Sequence, residues 1–242
     1  MSRCIIAYDL GTGGNKASLY NEAGVCLAEA FVPYATTYPR PGWHEQRPED
    51  WWNAVARSTR QLLGRVQMDA RQIVCCGISG HSLGVVPLDQ DGRLLRAATP
   101  IWSDSRPDAR QTRRFFEAVD ETDWYMATGA GFPAALYPVF KIMWYRDNEP
   151  DLFARIHRVI GTKDYINFRL TGRMVTDCSY ASGSGVYDLL KWDYSDAFIA
   201  ASGLPREVFP PIVPSTEVIG EITAEAAAEL GLPPGVQVVA GG

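Results

Sequence analysis

The sequence predicts an α/β protein built on a mixed β-sheet, with an antiparallel hairpin at the front of the sheet and helices flanking it. Two alternating polar and apolar runs, residues 16–20 and 25–32, follow a short apolar strand at 4–8, which predicts antiparallel strands joined by tight turns. Residues 73–79 and 236–240 are continuous apolar runs, as in strands buried on both faces of a sheet. From about residue 104 the pattern is mainly helical, so strands and helices mix along one chain.

The elements that follow the front hairpin are predicted from caps and turns. Pro48 suits the first turn of a helix, and Glu49 and Asp50 complement the dipole of that helix. Its apolar face, which packs on the sheet, consists of Trp51, Trp52, Val55, Leu62, Leu63 and Val66. After the buried strand come a short strand at 85–88 and a hairpin turn at 89–92.

The second half of the chain is predicted to be mainly helical. Lys163 and Asp164 cap the helix that they begin, a Thr-Gly pair at 171–172 stops it, and a stretch rich in Ser and Gly at 177–185 predicts a loop. The predicted helices are 106–119, 137–146, 151–156, 163–170, 193–203 and 223–230, with a short strand at 158–160.

The composition is that of an ordinary globular protein. Of the 242 residues, 46% are hydrophobic and 21% are charged, which is enough to bury a large core and too apolar for disorder. The formal net charge is −5 and the basic residues are scattered, so neither nucleic acid nor an anionic membrane has an obvious docking face. We therefore expect no nucleic-acid partner and no membrane partner.

The cysteines indicate a reducing environment. The chain has 5 cysteines, an odd number, with no C-x-x-C pair and no histidine at zinc-finger spacing, which argues against a disulfide framework. The first residues turn polar too early for a secretion signal, and no apolar stretch reaches the roughly 20 residues needed to span a bilayer. These features predict a cytoplasmic protein.

A glycine-rich loop interrupts the front hairpin. Residues 8–19 read YDLGTGGNKASL, and such loops commonly cradle phosphate in front of a helix N-terminus, whereas here the glycines join two antiparallel strands. A Walker A motif is excluded because Lys16 follows Asn15, and a dinucleotide fingerprint is excluded because Lys16 stands where a third glycine is required. The loop also opens with Asp9, a carboxylate that phosphate would repel.

A divalent cation explains Asp9. A carboxylate beside triphosphate oxygens is tolerated when Mg²⁺ lies between them, held through waters because Mg²⁺ gives up its hydration shell reluctantly. The loop would then bind nucleotide phosphates through its backbone, its hydrogen-bond donors and one cation. These phosphate-binding candidates are Gly11, Thr12, Gly13, Asn15 and Lys16, and Gly14 also allows close approach. The alternative is a hairpin turn capped by an aspartate, which requires only one or two glycines.

Five short motifs in this chain resemble those of the FGGY family of carbohydrate kinases, which includes xylulokinases, glycerol kinases and ribulokinases. They occur in the family's order and span nearly the whole chain. The motifs are Asp9-Leu10-Gly11-Thr12; Gly42-Trp43-His44-Glu45-Gln46; Ile101-Trp102-Ser103-Asp104-Ser105-Arg106; Lys163-Asp164-Tyr165 with Arg169-Leu170-Thr171-Gly172; and Thr176-Asp177 with Ala181-Ser182-Gly183.

The resemblance implies an actin-like ATPase domain, similar to ribonuclease H, that forms the N-terminal, substrate-binding half (residues 1–242) of a two-domain sugar or polyol kinase. In that family the second half, absent from this chain, holds most of the ATP, and the cleft closes over both substrates. The proton-accepting aspartate of the family follows a Gly-Gly pair at a strand end, here immediately beyond Gly242. We therefore expect no catalytic residue in this chain and no appreciable turnover by it alone.

The substrate-binding candidates lie outside the carboxyl ends of predicted strands, where ligands of α/β sheets gather. Trp102 offers an indole face to the C–H side of a sugar, and the carboxylate of Asp104 accepts hydroxyl groups. From the residues alone, core packing explains Trp102 equally well and an N-cap explains Asp104, but the family motif favours the site. His81, Ser82 and Tyr137 are further candidates, although a lone histidine after a strand more often has a structural role.

The chain departs from the family pattern where the sugar is expected. The comparable loop of xylulokinases resembles Gly-Gln-Met-His-Gly, so their histidine aligns with Leu83, which argues against xylulose. Glycerol kinases carry an Arg-Glu pair in this region that the sequence lacks. Lys16 stands where an arginine is usual and cannot hold phosphate through two parallel hydrogen bonds.

An alternative function is a non-catalytic sugar- or nucleotide-binding regulatory module with the same fold, which Gly13 and Gly14 and the expected lack of a base allow. A sugar-phosphate phosphatase has no support, since no aspartyl nucleophile motif occurs. The sequence is compatible with a homodimer.

Overall fold

The computed structural model describes residues 3–242. Its strands are β1 (Cys4–Gly11), β2 (Gly14–Asn21), β3 (Cys26–Pro33), β4 (Glu45–Gln46), β5 (Ile73–Gly80), β6 (Val86–Leu88), β7 (Thr99–Pro100), β8 (Arg158–Ile160), β9 (Thr176–Asp177), β10 (Tyr187–Asp188), β11 (Asp193–Tyr194), β12 (Ile212–Val213), β13 (Val218–Glu221) and β14 (Gln237–Val239). Its helices are α1 (Pro48–Leu63), α2 (Ala109–Phe116), α3 (Glu121–Thr128), α4 (Pro138–Asn148), α5 (Pro150–Phe153), α6 (Thr162–Thr171), α7 (Cys178–Ser182), α8 (Asp196–Ser202) and α9 (Ala224–Leu230).

A six-stranded mixed sheet organises the fold, in the order β13-β14-β5-β1-β2-β3. The front strands β1, β2 and β3 are antiparallel, whereas β5 runs parallel to both β1 and β14. In the front hairpin Asp9 lies opposite Lys16 and Gly11 lies opposite Gly14. The predicted α/β class, the mixed sheet and its antiparallel hairpin are confirmed.

Helices α1, α6 and α9 cover one face of this sheet. Alternate residues of β1, including Tyr8 and Leu10, point into the core beneath them, and the Tyr8 hydroxyl bonds to Thr59 Oγ1 of α1 at 2.8 Å. The opposite face is open, since Ile5 is 46% exposed and Val74 is 37% exposed. The prediction that strand 73–79 is buried on both faces is therefore wrong, because the helices among the described residues cover the sheet from one side.

A second apolar core forms around α2, α3, α4 and α8. It contains Phe115, Trp124, Phe140 and Tyr145, and it meets the sheet at the pair of strands β6 and β8, which join antiparallel. In the part of the chain that the structure describes, no helix has the length and apolarity to cross a membrane.

Three predicted elements differ in extent from those observed. The helix predicted at 106–119 ends at Phe116, and a separate helix, α3, begins at Glu121 behind the N-cap Asp120. The loop predicted at 177–185 contains α7, which the Asp177 carboxylate starts by accepting from the backbone N–H groups of two residues. The helix predicted from 193 begins at Asp196, because Ser195 caps it and β11 precedes it. In each case side-chain capping set the boundary, which an apolar pattern does not show.

Candidate functional site

The carboxyl ends of three neighbouring parallel strands, β1, β5 and β14, meet at one edge of the sheet. The backbone N–H of His81, directly after β5, donates to Leu10 O of β1 at 3.0 Å. Gly241, just beyond β14, lies against the β5 backbone so closely that a Cβ there would be 2.0 Å from Ile78 O. Its φ of +73° also favours glycine. The glycine hairpin and the two strand ends therefore border the same space.

The turn of the glycine hairpin is held from behind by the Gly42–Gln46 motif. Gln46 Nε2 donates to the backbone carbonyl of Thr12 at 2.7 Å, and Trp51 Nε1 donates to Gln46 Oε1 at 2.9 Å, which fixes the amide. At Gly14 a Cβ would lie 2.5 Å from the Phe31 ring, whereas at Gly13 it would meet nothing within 4 Å. Gly13 is thus the position of the turn at which a ligand has room to approach the backbone.

Asp9 presents an exposed carboxylate beside this turn. Its neighbour Tyr34 donates its hydroxyl to the backbone carbonyl of Gly11, and burial together with the negative charge of Asp9 raises the pKa of Tyr34. A single free carboxylate that faces open space suits a hydrated cation held through waters better than a cation bound directly. The residues present therefore fit the Mg²⁺ expected with ATP.

The positive charge of Lys16, which was expected to contact phosphate, is paired with a neighbouring carboxylate. Lys16 Nζ pairs with Glu29 Oε1 of β3 at 2.6 Å on the open face of the sheet, and this contact raises the pKa of Lys16. Both side chains are about half exposed, so the pair is weak and can be broken by a competing anion.

Asn15 does not face the phosphate space. It is fully buried under α1, and its Nδ2 donates to Ser58 Oγ at 2.8 Å. The expectation that Asn15 donates to phosphate is corrected, because alternation along β2 points this residue toward the helices and Lys16 toward the other face.

Trp102 lies beside the glycine hairpin. Its indole Nε1 donates to Thr12 Oγ1 at 3.0 Å, and the side chain is 38% exposed. The indole is thus anchored by its edge to the turn while part of its surface stays accessible. This is the arrangement that a stacking platform for a sugar requires.

Asp104 is enclosed by donors. Its fully buried carboxylate accepts from the backbone N–H of His44 at 2.7 Å and from the backbone N–H, Nε and Nη2 of Arg106. Arg106 Nη2 also donates to Glu45 Oε1 at 2.6 Å. The expected sugar contact of Asp104 is corrected for this reason: its oxygens already hold the Gly42–Gln46 segment against Trp102.

An open pocket of about 400 Å³ lies between the loop after β5, residues 128–132 and α7, and Trp102 is not among its lining residues. Ser82 and Tyr137 both line it, and the Tyr137 hydroxyl accepts from the backbone N–H groups of Gly131 and Phe132 at 2.9 and 3.2 Å. The full lining is Ser82, Leu83, Thr128, Gly129, Ala130, Gly131, Phe132, Tyr137, Ser179, Ser182, Gly183 and Leu189. Hydroxyl groups and apolar surfaces therefore alternate around a volume of sugar size.

His81 lies behind this pocket. Its ring packs edge to face on Trp51 at 5.6 Å between centroids, and both ring nitrogens are buried without a hydrogen-bond partner in residues 3–242. Burial, with a smaller effect of the Lys141 charge, lowers the pKa of His81 to about 4. The ring is consequently neutral at pH 7, and its buried nitrogens are not among the groups that line the pocket.

A buried ion cluster that the sequence did not predict supports the end of β14. Lys163 Nζ contacts Asp164 Oδ1 at 2.7 Å, Asp177 Oδ1 at 2.8 Å and the carbonyl of Ala240 at 3.2 Å. Burial opposes the ammonium, but the two carboxylates outweigh it and raise the pKa of Lys163. Asp164 also caps α6 as predicted, accepting from Gly161 N–H at 3.3 Å, whereas Lys163 is not a cap. The spacing gave no sign that residues 164, 177 and 240 would meet.

Comparison with known proteins identifies relatives over the whole chain. A sequence model described as the FGGY family of carbohydrate kinases, N-terminal domain, matches residues 4–242. A xylulose kinase of Escherichia coli (strain K12) is 34% identical over 237 residues, which are 98% of this chain and 47% of that protein. A xylulose kinase of Bacillus subtilis (strain 168) is 31% identical over 98% of this chain and 47% of its own length.

Solved structures of carbohydrate kinases also resemble this chain over its whole length. That of xylulose kinase from Rhodospirillum rubrum superposes with a TM-score of 0.91 at 32% identity, covering 99% of this chain and 49% of that protein. The structure of gluconate kinase from Lactobacillus acidophilus superposes with a TM-score of 0.88 at 25% identity, covering 100% of this chain and 48% of that protein. The chain thus spans about half the length of the relatives that it matches.

Proposed function

This chain belongs to the FGGY family of carbohydrate kinases, and we propose that it forms the sugar-binding half of an enzyme that transfers the terminal phosphoryl group of ATP to a hydroxyl of an uncharged sugar or polyol. The observation that carries the proposal is the hydrogen bond from the His81 N–H to Leu10 O, which sets the loop that lines the pocket beside the strand that leads into the phosphate-type turn. Phosphoryl transfer to an alcohol depends mainly on such placement of the two substrates.

We assign the sugar to the pocket that Ser82 and Tyr137 line. The accessible part of the indole stacks on the C–H face of the ring, while Ser82 and Tyr137 address its hydroxyl groups. Because the pocket is lined by hydroxyl, aliphatic and aromatic groups, a polyhydroxy ligand without charge fits it best. A carboxylate would lose its hydration there without a compensating cation in the described lining.

We assign the phosphates of ATP to the turn of the hairpin. Gly13 gives room for close approach, the Thr12 backbone is fixed by Gln46, and Lys16 can exchange Glu29 for a phosphate oxygen. Asp9 would hold Mg²⁺ through waters, and the metal would neutralise charge on the transferred group.

The proton of the attacking hydroxyl needs an acceptor. The family resemblance places an aspartate directly after a Gly-Gly pair, and Gly241-Gly242 lie at the strand end beside the pocket. We therefore propose that this pair presents the base, held by the Lys163 cluster, in a longer protein that includes the second half of its relatives.

The location and assembly of the protein are also proposals. All 5 cysteines are free, as in a reducing compartment, which supports the cytoplasm. A homodimer stays a prediction from the sequence.

Activity of that longer protein tests the proposal. ADP release is measured with ATP and Mg²⁺ against a panel that contains D-xylulose, glycerol, ribitol and gluconate. We expect at least one neutral member to accelerate ADP release and gluconate to have no effect. If no member does so, the kinase assignment fails, and saturable sugar binding without turnover would instead favour a regulatory binding module.

A further inference from the structure

One fully buried lysine, Lys141 of α4, joins the loop that lines the pocket at Ser82 and Leu83 to the segment that carries Trp102. Its Nζ donates to the carbonyl oxygens of Ile101 at 2.7 Å, Leu83 at 3.0 Å and Trp102 at 3.5 Å. Leu83 belongs to the loop after β5, whereas Ile101 and Trp102 follow β7. A single ammonium group thus ties together the two segments that carry Ser82 and the indole platform.

This position is costly for a charge. The Lys141 side chain is 0% exposed, and within residues 3–242 it has no carboxylate at ion-pair distance, unlike the equally buried Lys163 with its two aspartates. A buried ammonium without a partner of opposite charge is strongly disfavoured, and a methionine of similar length would avoid the cost. The three carbonyl groups accept from the ammonium directly, and the charge of Asp104 adds a more distant compensation.

The backbone at one of these carbonyls is itself strained. Leu83 adopts a φ of +59°, in the left-handed region that is unfavourable for a leucine, and its carbonyl accepts from Lys141. A strained conformation persists where its surroundings hold it, and the ammonium is the polar group that holds this one.

We propose that Lys141 is a positioning residue of the sugar site, whose ammonium sets the loop 82–84 at a fixed distance from Trp102. This inference rests on the proposed function, because it assumes that the pocket lined by Ser82 and Leu83 takes the sugar and that Trp102 stacks on it. Lys141 does not contact the pocket, since the carbonyl groups lie between its Nζ and the ligand space.

The charge state of Lys141 gives the proposal a distinctive signature. Burial lowers the pKa of Lys141 to about 7, Asp104 opposes this shift and Arg106 adds to it. Other titratable groups near these segments are His81, on the loop after β5, and His44, whose Nδ1 bonds to Ser103 Oγ at 2.8 Å. Above pH 7 a neutral amine offers two hydrogens to three carbonyl groups, so the sugar site loosens.

Over the same pH range, the stability of the folded chain changes in the opposite direction to its sugar affinity. The pKa of Lys141 is about 7 in the folded chain and about 10.4 when unfolded, so between these values the unfolded state binds the extra proton. The contribution of Lys141 to stability therefore rises as the pH increases from 7 to 9, while sugar affinity falls. A residue with a purely structural role would not separate the two.

The role of Lys141 in sugar affinity is tested by tryptophan fluorescence titrations with D-xylulose, glycerol and gluconate at pH 6.5 and 8.5. We expect Lys141→Met to bind the preferred neutral sugar about tenfold or more weakly, as loss of charged hydrogen bonds implies, and to lose the pH dependence of affinity. Ile199→Ala, a buried position on α8 in the same apolar core that is not among the residues lining the pocket, is the control and should lower the melting temperature without changing affinity. A pH dependence that persists in Lys141→Met would overturn the charge argument.

Hydrogen exchange decides the positioning role without a sugar. The backbone N–H groups of Val85 and Asp104 bond to Pro100 O and Ile101 O, so they report on the two segments. We expect their exchange to become at least tenfold faster in Lys141→Met, and to rise in Ile199→Ala by no more than its lower unfolding free energy accounts for. Unchanged exchange in Lys141→Met overturns the proposal, whereas failure of the unaltered chain to bind any sugar counts against the proposed function.

Discussion

Trp102 and Thr12, 90 residues apart in the chain, are joined by a hydrogen bond of 3.0 Å from the indole Nε1 to the threonine Oγ1. The bond ties the segment that follows β7 to the turn of the glycine hairpin. Both partners lie at the edge where three strand ends meet. A substitution of either residue should therefore affect both sugar binding and the glycine turn.

Thr12→Val removes the acceptor of this bond while nearly preserving the shape of the side chain. We expect the indole to lose its anchor and sugar affinity to fall several-fold, because one such hydrogen bond is worth about 1 kcal/mol. Calorimetric titration with the preferred sugar measures the effect. Thr12→Ser keeps the hydroxyl and is the control, and equal affinities of the two variants would show that the bond does not orient Trp102.

Trp102→Ala removes the proposed platform altogether. The unaltered chain should melt at a modestly higher temperature when sugar is added, because a ligand that binds the folded state stabilises it. We expect Trp102→Ala to abolish this shift and Trp102→Phe to keep part of it, since a ring remains for stacking. A full shift in Trp102→Ala would remove Trp102 from the site.

Two adjacent glycines of the hairpin should respond differently to the same substitution. Gly14→Ala brings a Cβ to 2.7 Å from Val32 O and should cost about 1–3 kcal/mol of unfolding free energy. Gly13→Ala meets nothing within 4 Å and should leave stability nearly unchanged, but it should weaken ATP use in the longer protein by filling the approach to the turn. Urea unfolding and the KM for ATP measure the two effects, and a normal KM in Gly13→Ala would argue against phosphate binding there.

The Lys163 cluster should be important for stability. Lys163→Met leaves Asp164 and Asp177 buried without their counter-charge, so we expect a loss of about 3–5 kcal/mol. Lys191→Met is the matched control, because Lys191 pairs with Asp188 at the surface with 72% of its side chain exposed, and its loss should stay within about 0.5 kcal/mol. Similar urea midpoints for the two variants would contradict the role given to the cluster.

His81 should make stability sensitive to acid. Its folded pKa of about 4 lies below the value of about 6.5 in an unfolded chain, so the unfolded state binds the additional proton between these values. The stability that the neutral ring contributes is present above pH 6.5 and is lost as the pH falls toward 4. His81→Gln should show a flatter decline of melting temperature over this range, and identical profiles would mean that the ring is protonated without cost.

The order of the elements could be read from the sequence because it depends on local patterns. Alternation in residues 16–20 and 25–32, and a glycine turn without a following helix, are enough to specify an antiparallel hairpin. The short helices α3 and α7 were missed because each depends on a side-chain cap rather than on an apolar stripe.

The site was predicted less completely than the fold. Trp102 and Thr12 were both candidates, yet nothing in their spacing indicated that they bond to each other. Asn15 and Asp104 belong to the right segments but face inward, because a polar residue beside a site serves equally well as a ligand or as its support. Lys141 was not identified as a candidate. A lysine between apolar residues of a helix does not indicate that its ammonium group will donate to backbone carbonyl groups of distant segments.

The sequence by itself determined the mixed α/β sheet, the hairpin that carries Asp9 and the family to which the motifs belong, because these follow from local periodicity and short contiguous segments. Only the tertiary structure decided which polar groups face the pocket and which lie beneath it. The reason is physical: the orientation and charge state of Lys141, Lys163 and Asp104 depend on burial and on partners that the fold brings together from distant parts of the chain.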